Sequence, residues 1–132
     1  MPNRVSHFEI HATDPETLAK FYVAVFGWEI KKWEYPGLEY WMCMTGPQGG
    51  TDGINGGMVK RKGAAPAIGA AVNGAVNTMI VTDFDDIAKK VLAHGGIEAL
   101  PKMAIPGMAW QGYFLDPDHN IFGIHQPDPT AK

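Results

Sequence analysis

The chain has 132 residues, 45% hydrophobic and 19% charged, with a formal net charge of −3, which is the size and balance of one globular domain or of two half-domains sharing a core. Its longest basic run, Lys60-Arg61-Lys62, is too short on an acidic chain to make a nucleic-acid surface. The single cysteine, Cys43, excludes an internal disulfide and a zinc knuckle, and no apolar run reaches membrane-span length; a soluble cytoplasmic protein without a signal peptide is expected.

From Val5 to His11 polar and apolar residues alternate, which predicts a half-buried strand with Phe8 and Ile10 on one side and His7, Glu9 and His11 on the other. Thr13-Asp14-Pro15-Glu16 supplies a capping side chain, a proline suited to the first helical turn and an acid that complements the helix dipole. Leu18, Phe21, Tyr22, Val25 and Phe26 then recur at helical spacing until Gly27 stops the helix. Strands are expected at Trp28 to Glu34, Leu38 to Met44 and Ile54 to Lys60, joined by a turn at Tyr35-Pro36-Gly37 and a glycine-rich loop from Thr45 to Gly53. That loop lacks the GK[ST] ending of a phosphate loop and reads as a hairpin connection or lid.

The small-residue stretch 62–73 reads as a linker. Beyond it the plan repeats: a strand near Val76 to Thr82, Asp83 as N-cap, a helical stripe of Ile87, Val91 and Leu92, and closure at Gly95-Gly96. Strands follow at Ile97 to Leu100, Met108 to Leu115 and Asn120 to His125, with turns at Ile105-Pro106-Gly107 and Asp116-Pro117-Asp118, and a tail from Pro127 that is expected to fray. An offset of 69 residues places Asp14 on Asp83, Ala19-Lys20 on Ala88-Lys89, Gly27 on Gly96 and Glu29 on Glu98. One supersecondary unit is used twice.

Two βαβββ modules, with DPETLAKFYVAVFGWE in the first and DPDHNIFGIHQP closing the second, resemble the vicinal oxygen chelate superfamily of glyoxalases, bleomycin resistance proteins and extradiol dioxygenases. The resemblance implies an α+β domain spanning 1–132, with module one at 4–61 and module two at 74–127. Curved mixed sheet would enclose a concave cleft, with the helices on the outer face, in a homodimer of the family kind. It also implies a divalent metal held by four ligands from the first and last strands of the two modules. His7 stands where the first ligand would stand. Its counterpart is Val76, or Asn77 if the strand slips by one, the last-strand ligand corresponds to Gly123, and the sister position is assigned to Gly56. A single imidazole is too few donors for a stable site, so no metal residue is assigned, and the two glycines are expected to widen the cleft.

The expected function is therefore binding of a small organic ligand without a cofactor, in a cleft lined by His7, Glu9, Tyr40, Met42, Gly56, Trp110, Gly123 and His125. Flat and polarisable side chains suit an apolar or aromatic molecule. Two alternatives stay open. His7 and Glu9 could be catalytic as base and acid, or relocated ligands, with His125 joining His7 and Glu9, could hold Zn, Ni, Mn or Fe for a lyase or dioxygenase reaction. Neither nucleic acid nor membrane is an expected partner.

Overall fold

The computed structural model describes residues 5–35, 38–47 and 49–132; positions 36 and 37 of the expected Tyr35-Pro36-Gly37 turn and Gln48 of the glycine-rich loop lie outside the described residues. The elements are β1 (Phe8–Ala12), α1 (Pro15–Phe26), β2 (Glu29–Tyr35), β3 (Leu38–Met44), β4 (Gly56–Lys60), β5 (Asn77–Ile80), α2 (Phe84–Ala93), β6 (Ile97–Ile105), β7 (Ala109–Leu115) and β8 (Ile121–Pro127). The chain divides into two compact units, 1–65 and 66–132. Each carries a four-stranded mixed sheet, in the order β1-β4-β3-β2 in the first and β5-β8-β7-β6 in the second. The first strand of each unit runs parallel to the last, and the other neighbours are antiparallel. This is α+β architecture built from two tandem βαβββ modules.

In the first unit Asp14 caps α1, accepting from the Thr17 amide at 3.3 Å and the Thr17 hydroxyl at 2.8 Å. Gly27 ends the helix at φ 71°, donating its amide to the Val23 carbonyl, a left-handed conformation that glycine adopts without steric cost. The stripe of Leu18, Phe21, Tyr22 and Val25 is buried, as are Ile10, Ala12, Trp41, Cys43 and Met58 of the sheet. Tyr22 stacks on Trp28 at 4.9 Å between ring centroids, and burial of each such side chain is worth about 1.5–3 kcal/mol. Glu16 ties the helix to β3 by accepting from the Trp41 indole at 2.9 Å.

The second unit repeats this with Asp83 capping α2 through the Asp86 amide, and Phe84, Val91, Phe114, Phe122 and Ile124 forming the core. Leu92, expected in the helical stripe, is instead 54% exposed; Phe84, at the first helical position, takes the core place and rotates the buried face away from it. A Cβ on Gly112 would come within 2.7 Å of the Phe84 ring, so glycine there lets the helix settle on the sheet. β6 continues five residues past its expected end at Leu100, because register shifts on either side of Leu100 absorb Pro101 on an edge strand.

Two further expectations are corrected or explained. The DPDHN segment is a turn organised by the fully buried Asp116, which accepts from the Asp118 amide, the Asn120 amide and the Asn120 side chain. The tail does not fray: Ala131 is 3% exposed and accepts from the Gly107 amide, while Asp128 accepts from the Trp110 indole at 3.0 Å.

Candidate functional site

Alternation sends one set of strand residues toward each unit's own helix and the other set to the opposite, open face. In the first unit one cross-strand row of the open face reads Glu9, Gly57, Met42, Lys31, with Tyr40 opposite Trp33 in the next. Tyr40 reaches across β4 from β3, and its hydroxyl lies 2.6 Å from Nε2 of His7. It can do so because position 57 is glycine: a Cβ there would collide with the phenol oxygen and ring. Burial raises the Tyr40 pKa, with a further push from the Glu9 carboxylate, so the phenol keeps its proton and can donate to the imidazole. Glu9 does not pair with His7; its carboxylate lies 3.5 Å from His11.

In the second unit the corresponding open rows read Thr78, Gly123, Tyr113, Leu100 and Ile80, His125, Gln111, Met103. His125 Nδ1 lies 2.7 Å from the side-chain oxygen of Gln111, and Gln111 is buried at 7% exposure. The space above Gly123 is filled: a Cβ would come within 2.7 Å of the Thr78 hydroxyl, 2.9 Å of the Gln111 amide nitrogen and 3.1 Å of Tyr113. The expectation that two glycines widen a cleft is thus corrected. The missing side chain of Gly123 makes room for Gln111 and Thr78 and that of Gly56 for Phe8, while Tyr40 stands over the neighbouring Gly57.

Of the expected lining, His7, Glu9, Tyr40 and Met42 share one open face, and Gly123 and His125 share the other. Gly56 and Trp110 stand on the helix sides. Gly56 lies beside Phe8, whose ring a Cβ would meet at 2.6 Å. Trp110 sits beneath Lys102, whose ammonium is 4.7 Å from the indole centroid. The register makes Gly57, not Gly56, the sister of Gly123, since Thr78 opposes Gly123 as Glu9 opposes Gly57. Gln111, which sequence reasoning missed, could have been found as the polar residue two before Tyr113 in an otherwise apolar strand.

The positions that the resemblance gives to metal ligands therefore hold His7, Val76 or Asn77, Gly57 and Gly123. Two lack a side chain, and the one imidazole presents Nε2 to a phenol. Elsewhere among the described residues no three His, Cys, Asp or Glu side chains gather into a metal-binding group. The residues present do not fit a divalent metal of the family kind. A 370 Å³ recess lies instead in the first unit, between Val5-Ser6 and the glycine-rich loop, where Asn55 accepts from the Thr45 amide at 2.7 Å.

No curated protein sequence matches the chain, but solved structures do. The fosfomycin resistance protein FosX of Listeria monocytogenes aligns with a TM-score of 0.70 at 16% identity, over 96% of this chain and 94% of that one. A glyoxalase-related enzyme from Fulvimarina pelagi aligns at 0.65 and 20% identity, over 98% and 97%. A glyoxalase/bleomycin resistance protein/dioxygenase family enzyme from Burkholderia phytofirmans PsJN aligns at 0.66 and 16%, over 92% and 96%. At these identities the likeness is one of fold. The family model described as Glyoxalase/Bleomycin resistance protein/Dioxygenase superfamily matches residues 4–124, and with two βαβββ modules accounting for that whole span, the chain belongs to this superfamily.

Proposed function

We propose that this protein binds a small, largely apolar organic molecule on the open sheet faces, without the superfamily's divalent metal. The observation that carries the reading is the donor set: glycine at both last-strand positions, Val76 or Asn77 at one first-strand position, and at the other an imidazole facing the Tyr40 hydroxyl. What replaces the donors is a surface of neutral, flat and flexible groups, among them Met42, Tyr113, Leu100 and Met103, of the kind that lines ligand sites. His7, Glu9, Tyr40, Met42, Gly123 and His125 are the lining residues of this reading. Its natural setting is a cytoplasmic homodimer: the lone thiol suits a reducing compartment, and exposed apolar side chains away from the open faces, such as Val23 and Leu92 on the helices, suit association.

The test is elemental analysis of protein purified without chelator or affinity metal, followed by titration with nickel, zinc, manganese and iron(II), alongside a fragment screen by NMR. The expected result is no stoichiometric metal and aromatic fragments that shift open-face resonances. Stoichiometric metal lost in His7→Ala would overturn the reading in favour of a metal-dependent lyase or dioxygenase.

A second reading, metal-free acid–base catalysis, is favoured by the 2.6 Å contact between Tyr40 and His7. It makes Tyr40, rather than Glu9, the partner of His7, with Glu9 acting on the phenol through its charge. Tyr40→Phe would then abolish turnover of any substrate found in the screen while leaving its binding within a few-fold.

A further inference from the structure

We propose that His125 is the hydrogen-bond acceptor for a weakly acidic hydroxyl on an otherwise apolar ligand, and that Gln111 is the positioning residue that prepares it. The proposal rests on the binding reading above and names the chemistry of the ligand. A neutral imidazole has one N–H and one lone pair, and which nitrogen carries which is set by the partner of the other. The Gln111 side-chain oxygen lies 2.7 Å from Nδ1. An amide oxygen only accepts, so Nδ1 carries the proton and Nε2 presents its lone pair. Gln111 is 7% exposed, and its amide nitrogen occupies the space left by Gly123, 2.9 Å from where a Cβ would stand. The amide is therefore seated by packing, and the imidazole is oriented by it.

The surroundings of this pair select the rest of the ligand. In its own cross-strand row His125 and Gln111 are flanked by Ile80 and Met103, and the adjacent row holds Thr78, Tyr113 and Leu100. Ile80 is 76%, Leu100 49% and Met103 42% exposed, so apolar surface surrounds one polar centre, and neither row contains a charged side chain. The first unit differs at the corresponding row, whose ends are Glu9 and Lys31. A charged ligand would lose hydration on the second unit's face with no counter-charge in either row. A molecule with an apolar body and one O–H that donates to Nε2 satisfies both the acceptor and the surface, as a phenol does.

The experiment uses the full chain and a matched pair of probes, 4-chlorophenol, which stays un-ionised at neutral pH, and its methyl ether 4-chloroanisole, which differ in the donated proton. 15N-edited NMR of the histidine side chains first reads the tautomer without any ligand. The expected result is a protonated Nδ1 on His125, a shift toward the Nε2–H form in Gln111→Leu, and restoration of the native form in Gln111→Glu, which keeps an acceptor oxygen. Binding of 4-chlorophenol should exceed that of the ether by about tenfold, and His125→Phe should erase the difference. An Nε2–H tautomer in the native protein would overturn the proposal. So would equal binding of the two probes, which would leave the broader binding reading standing, and so would the failure of both probes to bind, after which that reading is decided by the fragment screen alone.

Discussion

Glycine's usefulness at positions 57 and 123 is that it lets another side chain stand where its own would be. At position 57 the consequence is a bond spanning two strand spacings, from Tyr40 on β3 over β4 to His7 ahead of β1. Gly57→Ala should therefore expel the phenol, remove the His7 contact and cost about 1 kcal/mol or more, the usual net worth of one hydrogen bond. Thermal unfolding would read the cost, and loss of Tyr40-to-His7 cross-peaks would read the cause; an unshifted midpoint with those contacts intact would refute the argument. Cys43 makes a different residue-scale prediction. Full burial pushes its thiol up to about 12, so it should resist Ellman's reagent near neutral pH in the folded protein and react with one equivalent in denaturant. Side-chain alternation was enough to put His7 and Glu9, or Gly123 and His125, on common faces. It could not choose between Gly56 and Gly57, because a glycine carries no apolar or polar mark, and it misjudged Trp110 because an indole suits either face.

At the scale of elements, both helices were legible because their caps, stripes and stops agree with one another. Asp14 and Asp83 each accept an amide three residues on, and a glycine in the left-handed region follows each helix, Gly27 directly and Gly95 after His94. Strand bounds were less legible, since pairing partners rather than local sequence carry β6 through Pro101 and hold the tail through Asp128. Both devices bear on acid stability. Hydrogen bonds from the Thr17 side chain and backbone hold the Asp14 carboxyl below its ordinary 3.8, and those from the Thr130 side chain and backbone, with the Trp110 indole, do the same for Asp128. A carboxyl whose pKa is lower folded than unfolded contributes stability that is complete above the unfolded value and is lost as pH falls through the folded one. The urea midpoint should therefore fall as pH drops below 3.8. Asp14→Asn, which still caps but does not titrate, should flatten part of that fall; an unchanged slope would exclude Asp14 as a contributor.

At the scale of the whole molecule, the 69-residue offset announced two like units, and the pairing shows how far like units can diverge. Glu9 and Thr78 occupy equivalent places beside Gly57 and Gly123, yet the first unit's row ends in charges and the second's in Thr78 and Leu100. No alternation pattern distinguishes a duplicated scaffold that kept its chemistry from one that exchanged it; that difference lies in cross-strand neighbours, which the sequence does not order. The duplication also fixes where the chain should be most easily cut. Between Lys60 at the end of β4 and Asn77 at the start of β5 there is no helix or strand, and Ile68 and Val72 in that stretch are 61% and 54% exposed. A protease needs several extended, accessible residues in succession, so cleavage follows local freedom from packing and hydrogen bonding. Elastase, which cuts after small apolar residues, meets Ala64, Ala65, Ala67, Ala70, Ala71 and Val72 here, whereas the loop from Thr45 to Gly53 offers it glycine, proline and aspartate and is tied at its base by Asn55. Limited digestion should give two fragments of nearly equal mass, with the first cut between Ala64 and Ala75, read by mass spectrometry. An initial cut before Lys60 or after Asn77 would mean that the packing of the strands and helices yields before the stretch between β4 and β5.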